Sequence, residues 1–135
     1  MAKRKNKTIL VAIVAIILVV SAIILNAPLD KQTIPTKFVV GGNGGFDLTP
    51  GRLNFGKIIP GSSASRGLTI TNTYDQPTIT TIKSSGAISE YIIVSKNNFI
   101  LQPNESKNIS FSARPDKDTE YGEYPGQIEI ITEKA

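Results

Sequence analysis

The sequence predicts an all-β, seven-stranded sandwich carried behind one N-terminal transmembrane helix. Two observations carry that expectation. Thr8 to Leu25 is a run of eighteen uncharged residues directly behind the basic cluster Lys3, Arg4, Lys5 and Lys7. Beyond it, short stretches alternate apolar and polar side chains and are broken by turn residues at roughly eight-to-twelve-residue intervals, with no soluble helical period.

The apolar run contains thirteen Ile, Leu or Val residues. At about −0.3 to −0.6 kcal/mol each near a bilayer centre, they favour insertion by roughly 4 to 8 kcal/mol. Continued to Ala27, the helix reaches about 30 Å, one hydrocarbon thickness. It has no polar face, as a buried core helix of a globular domain would. It is longer than a secretory signal core of about 7 to 15 residues, and Leu25 and Pro28 flank the best cleavage position badly. Residues 8–27 are therefore expected to stay as an anchor, behind a basic cytoplasmic tail at 1–7.

Charge supports this layout. The chain has fifteen Lys plus Arg and eleven Asp plus Glu, and four of the basic residues precede the helix. From Pro28 onward the two signs balance, so the net +4 belongs to the tail. A folded part without basic excess argues against nucleic acid. The tail fits the positive-inside rule, which predicts a cytoplasmic N-terminus and an extracytoplasmic C-terminal domain, with the lipid bilayer itself as a partner.

Residues 28–45 read as a flexible linker, holding Pro28, Pro35 and the pentad Gly41-Gly42-Asn43-Gly44-Gly45. Within it, Phe38, Val39 and Val40 are out of place. They suit a strand that pairs with the domain's own edge, or one donated to a neighbouring copy. Residues 46–135, about ninety in all, suffice for one small domain. The chain has no cysteine, so that domain must be held by its own core.

The seven strands follow in order. Arg52 to Gly56 places Leu53 and Phe55 on one face; Pro60-Gly61-Ser62 then turns the chain. Arg66 to Thr73 alternates, with Leu68 and Ile70 inward. Thr78 to Ser84 is strand-like, but Ile79 and Ile82 are three apart, which predicts a bulge or a two-sided environment. Tyr91 to Val94 is a continuous apolar run expected to be buried. Phe99 and Leu101 share a face before the turn at Pro103-Asn104. Ile109, Phe111 and Ala113 point inward, as do Ile128 and Ile130 on the last strand.

Three stretches resemble a widespread family. Leu53-Asn54-Phe55-Gly56, Pro60-Gly61-Ser62-Ser63 and Leu68-Thr69-Ile70-Thr71-Asn72-Thr73 look like the opening of immunoglobulin-like modules of the major-sperm-protein-like and cilium-associated (ASH) type. Phe99 to Ser106 resembles that family's L-x-P-G-E-S turn with Asn104 in place of Gly, a residue that tolerates the left-handed conformation. Gly122 to Ile130 resembles its closing G-x-Y-x-G-x-I-x-I. The resemblance implies an immunoglobulin-like sandwich that binds proteins, extends surfaces or builds filaments. It transfers no catalytic residue and does not reach the helix or linker.

The residue inventory points away from catalysis. There is no His to serve as a base near neutral pH, and no Cys for thiol chemistry or the strong zinc patterns. No cofactor and no small-molecule substrate are expected. Asp116, Asp118, Glu120 and Glu123 are the best candidates for Ca²⁺, but their spacing departs from an EF-hand: Tyr121 stands where the loop glycine belongs and Gln127 where the bidentate Glu belongs. Asn104 and Asn108 open N-x-S sequons and are candidate glycosylation sites. The expected function is that of a non-catalytic, single-pass envelope protein whose domain serves a membrane complex or a surface layer as a binding or structural module. The alternative is a secreted fibre or pilus-like subunit assembled by strand donation from the linker.

Overall fold

The computed structural model describes residues 2–42 and 53–135. It contains one helix, α1 (Ala2–Leu25), and eight strands among the described residues: β1 (Asp30–Val40), β2 (Leu53–Ile58), β3 (Ala64–Thr71), β4 (Thr78–Gly86), β5 (Ile92–Val94), β6 (Phe99–Leu101), β7 (Ser106–Ala113) and β8 (Gly122–Lys134). A single 3-10 turn, Ser89–Tyr91, leads into β5. All seven expected strands are present. The eighth, β1, lies in the stretch expected to be linker.

α1 is long and apolar enough to cross a membrane, and none of its most apolar eighteen residues is buried against the rest of the chain. The basic tail continues the helix instead of preceding it. Asn26 closes the other end by donating its side-chain amide to the Ala22 carbonyl at 2.8 Å.

The strands form two sheets of order β2-β1-β8-β4-β6 and β3-β7-β5. β1 pairs antiparallel with β8 over all eleven of its residues, from Asp30↔Thr132 to Val40↔Gly122, and parallel with β2 from Thr36↔Leu53 to Val40↔Ile58. This corrects the linker expectation. Phe38 and Val40 are 0% and 2% exposed in this chain's own core. The reason is period two: Ile34, Thr36, Phe38 and Val40 all fall on the inward side, and that face is worth burying. The connection between α1 and β1 shrinks to Asn26–Leu29. Residues 43–45 of the expected linker, and 46–52 of the expected sandwich, lie outside the described residues.

One core joins the sheets. Phe38, Phe55, Leu101 and Ile128 from the larger sheet meet Ile109 and Phe111 from the smaller one, each at most 1% exposed. β2 buries Leu53, Asn54, Phe55 and Gly56 in succession because its register to β1 slips between Lys37 and Val39. Gly56 sits there at φ 71°, and its N–H is taken by Asn54 Oδ1 at 3.1 Å. The motif Asn54-Phe55-Gly56 thus encodes a bulge whose positive φ suits glycine.

One strand expectation is narrowed and another is corrected. β4 has no bulge: its register to β8 runs unbroken from Thr78↔Lys134 to Gly86↔Gly126. Ile79 faces outward, and the inward series is Thr78, Thr80, Ile82. β5, expected to be buried, is the edge of the smaller sheet, paired only with β7, and leaves Ile93 50% exposed. An apolar run of that length cannot distinguish a buried strand from an edge.

Candidate functional site

The two ends of the sandwich differ. The end away from α1 is aromatic. Phe38 stacks on Tyr124 with ring centroids 5.0 Å apart, and Tyr91 meets both edge-on at 5.6 and 5.3 Å. The Tyr124 hydroxyl donates to the Glu120 carbonyl at 2.8 Å. Burial against its neighbours, with smaller contributions from Tyr91 and Glu120, holds the Tyr124 phenol above its usual pKa. Tyr121, next to Glu120 in the chain, is 69% exposed.

The end joined to α1 is polar inside. A cleft of about 190 Å³ opens between the sheets there. β4 contributes Thr78 and Thr80, β1 contributes Asp30 and Gln32, and Leu68 and Ile70 of β3 form the facing wall. Thr78 and Thr80 are 0% and 1% exposed, and neither hydroxyl has a hydrogen-bond partner among the described residues. Asn72, also lining the cleft and 2% exposed, is fully engaged: its amide donates to Gln76 O at 2.9 Å and Leu101 O at 3.0 Å, and its Oδ1 accepts from Tyr74 N at 3.0 Å.

The structure disperses the sequence-predicted sites. Phe38 and Val40 are buried in the core and Val39 is half-buried, so the candidate donor segment completes its own sheet. Asn104 and Asn108 are both exposed, Asn104 on the turn before β7 and Asn108 on β7 opposite Thr69. Asn104 holds φ 63°, the left-handed conformation anticipated for it, and its N–H donates to Asn72 O at 2.8 Å. The four acids proposed for calcium do not converge: among the described residues no three acidic side chains are placed to hold a metal ion. Glu123 pairs instead with Lys37 across β1 and β8 at 3.1 Å.

Asn72, Thr78 and Thr80 are not among the sequence-predicted sites. The signal was available. Asn72 continues the inward series Leu68, Ile70, and the two threonines precede Ile82 at period two, so each is a polar residue at an inward position. The three-residue spacing of Ile79 and Ile82, which suggests a bulge or a two-sided strand, concealed it.

A family model described as ASH (Abnormal spindle-like microcephaly-assoc'd, ASPM-SPD-2-Hydin) matches residues 46–124. The chain belongs to the ASH family. ASH domains are a non-catalytic, protein-interaction type of module. The matched ASH span stops short of β1 and of β8 beyond Tyr124, two adjacent inner strands of the larger sheet. No curated protein and no solved structure matches the chain.

Proposed function

We propose that this chain is a non-catalytic, single-pass membrane protein of the cell envelope. Its immunoglobulin-like ASH domain, outside the cytoplasm, serves a membrane complex or surface layer as a binding or structural accessory. The observation that carries the reading is the junction of α1 to the domain. A helix exposed along its whole apolar length is followed after only four residues, Asn26–Leu29, by a strand of the folded core. Exposed apolar surface of that extent needs a bilayer or a partner to cover it. The basic residues before the run favour an N-terminus on the cytoplasmic side. The absence of His and Cys from the sequence, together with the family's character, supports a role without chemistry.

The short junction alters the expected architecture. The domain is not carried on a long flexible stalk; it stands close to the surface from which α1 emerges. The fibre alternative draws no support from β1, whose upper half, Thr36–Val40, is flanked by β8 and β2 of the same chain.

The test is extraction and protection on native membranes. Alkaline carbonate should leave the full-length chain in the pellet, and protease added from outside should trim the domain while sparing α1. Mild-detergent capture followed by mass spectrometry should then recover intact chain together with a membrane or surface-layer protein. Release by carbonate, or a domain accessible only from the cytoplasmic side, overturns the proposal.

A further inference from the structure

We infer that the cleft between the sheets receives the uncharged, hydroxyl-bearing headgroup of a membrane lipid. The inference rests on the membrane-anchored reading above and adds a ligand to it.

Position is the first argument. The residues that secure the tether are the residues that form the mouth of the cleft. Leu29 donates its N–H to Thr132 O at 2.7 Å and accepts the Tyr74 hydroxyl at 3.2 Å. Thr132 and Tyr74 both line the cleft, as does Asp30 next in the chain. Four residues between α1 and β1 span at most about 14 Å. A headgroup layer is about 5 to 7 Å deep on each side of the hydrocarbon. The mouth is therefore held within reach of lipid headgroups.

The chemistry of the lining is the second. Thr78 and Thr80 sit side by side on the inward face of β4 with hydroxyls that no group among the described residues satisfies. An unsatisfied buried hydroxyl is destabilising, and valine, of the same shape, would fill both positions without that cost. Hydroxyls at both points suit an occupant that both donates and accepts hydrogen bonds. Among the described residues no Lys or Arg lines the cleft, and Asp30 does, which disfavours phosphate, sulfate or carboxylate. Leu68, Ile70 and Ile130 give it apolar wall, suited to the C–H face of a sugar or glycerol unit. Its volume of about 190 Å³ admits one such unit, not a whole lipid.

The experiment uses the full-length chain in phosphatidylcholine vesicles, with and without admixed monogalactosyl diacylglycerol. Flotation with the vesicles is scored first. A chain that fails to float overturns the anchoring reading, and a chain that floats proceeds to the ligand test. The galactolipid should raise the unfolding midpoint by about 5 °C or more and shift the methyl resonances of Thr78 and Thr80. The variant carrying Thr78→Val and Thr80→Val should float and lose that response. Should it not fold, Thr132→Val at the mouth replaces it and should weaken the response at least several-fold. No response in the native chain, or an undiminished response in the variants, means that the cleft holds solvent only and overturns the inference. An equal response to free methyl galactoside with vesicles of phosphatidylcholine alone overturns the lipid as its source.

Discussion

Asn97 binds the backbone of Ile82 as a neighbouring strand would. Its Oδ1 accepts the Ile82 N–H at 2.7 Å and its Nδ2 donates to the Ile82 carbonyl at 2.8 Å. β6 pairs with β4 only from Thr78 to Thr80, so this side chain takes over where the strand ends. It also blunts a sheet edge that would otherwise offer free backbone groups. Asn97→Ala should destabilise the domain by about 1 to 3 kcal/mol in urea unfolding. Asn97→Asp, which keeps the acceptor and loses the donor, should cost less.

Asn72 should be more sensitive still. It bridges the chain at Tyr74 and Gln76 to β6 at Leu101 from a position 2% exposed. Asn72→Ala leaves two carbonyls and one N–H without their partner. A loss of about 2 to 4 kcal/mol is expected, with the hydrogen exchange of the Tyr74 amide accelerated more than that of Phe111.

Gly126 admits no side chain. A Cβ there would lie 2.3 Å from both Ile88 Cγ2 and the Ser85 carbonyl oxygen. Gly126→Ala should lower stability by about 1 to 3 kcal/mol or more. Adding Ile88→Ala should not rescue it, because the second obstacle is backbone.

Phe38 distinguishes self-pairing from exchange between copies. Phe38→Ala removes a fully buried ring that touches Tyr91 and Tyr124, with an expected loss of about 3 to 5 kcal/mol. Because the strand lies in its own sheet, the melting temperature of the native chain should not depend on protein concentration. A midpoint that rises with concentration would instead indicate strand exchange.

Tyr124 gives stability a dependence on alkaline pH. Its phenol is raised above the ordinary value near 10, so the native state keeps that proton to higher pH than the unfolded chain does. The contribution is whole below the unfolded value and disappears as pH climbs through the native one. Stability should therefore fall above about pH 10. Tyr124→Phe should flatten that fall, as followed by tyrosinate absorbance alongside thermal melts.

Seven of the strands were legible because each has an alternating or apolar core bounded by Gly, Pro or Asn. The turn at Asn104 was legible for a related reason, since few side chains tolerate positive φ. β1 was obscured by its surroundings: Pro28, Pro35 and the glycine pentad suggested linker, although pairing with β2 begins only at Thr36, which leaves Pro35 an open edge on that side. The acidic series from Asp116 to Glu123 looked like a ligand set in one dimension. In three it is a loop and a strand start whose last member is drawn to Lys37.

By itself, the sequence determined the apolar helix, the lack of thiol and imidazole chemistry, and most of the strand inventory. These follow from residue type and local period, which need no distant partner. Tertiary structure alone decided that Asp30–Val40 is the second strand of the larger sheet, that Thr78 and Thr80 face a cleft, and that Asn72 and Asn97 stand in for missing backbone partners. Each of those depends on which segments meet across fifteen or more residues of chain. A strand's two edges and two faces carry no record of their neighbours until the sheet closes.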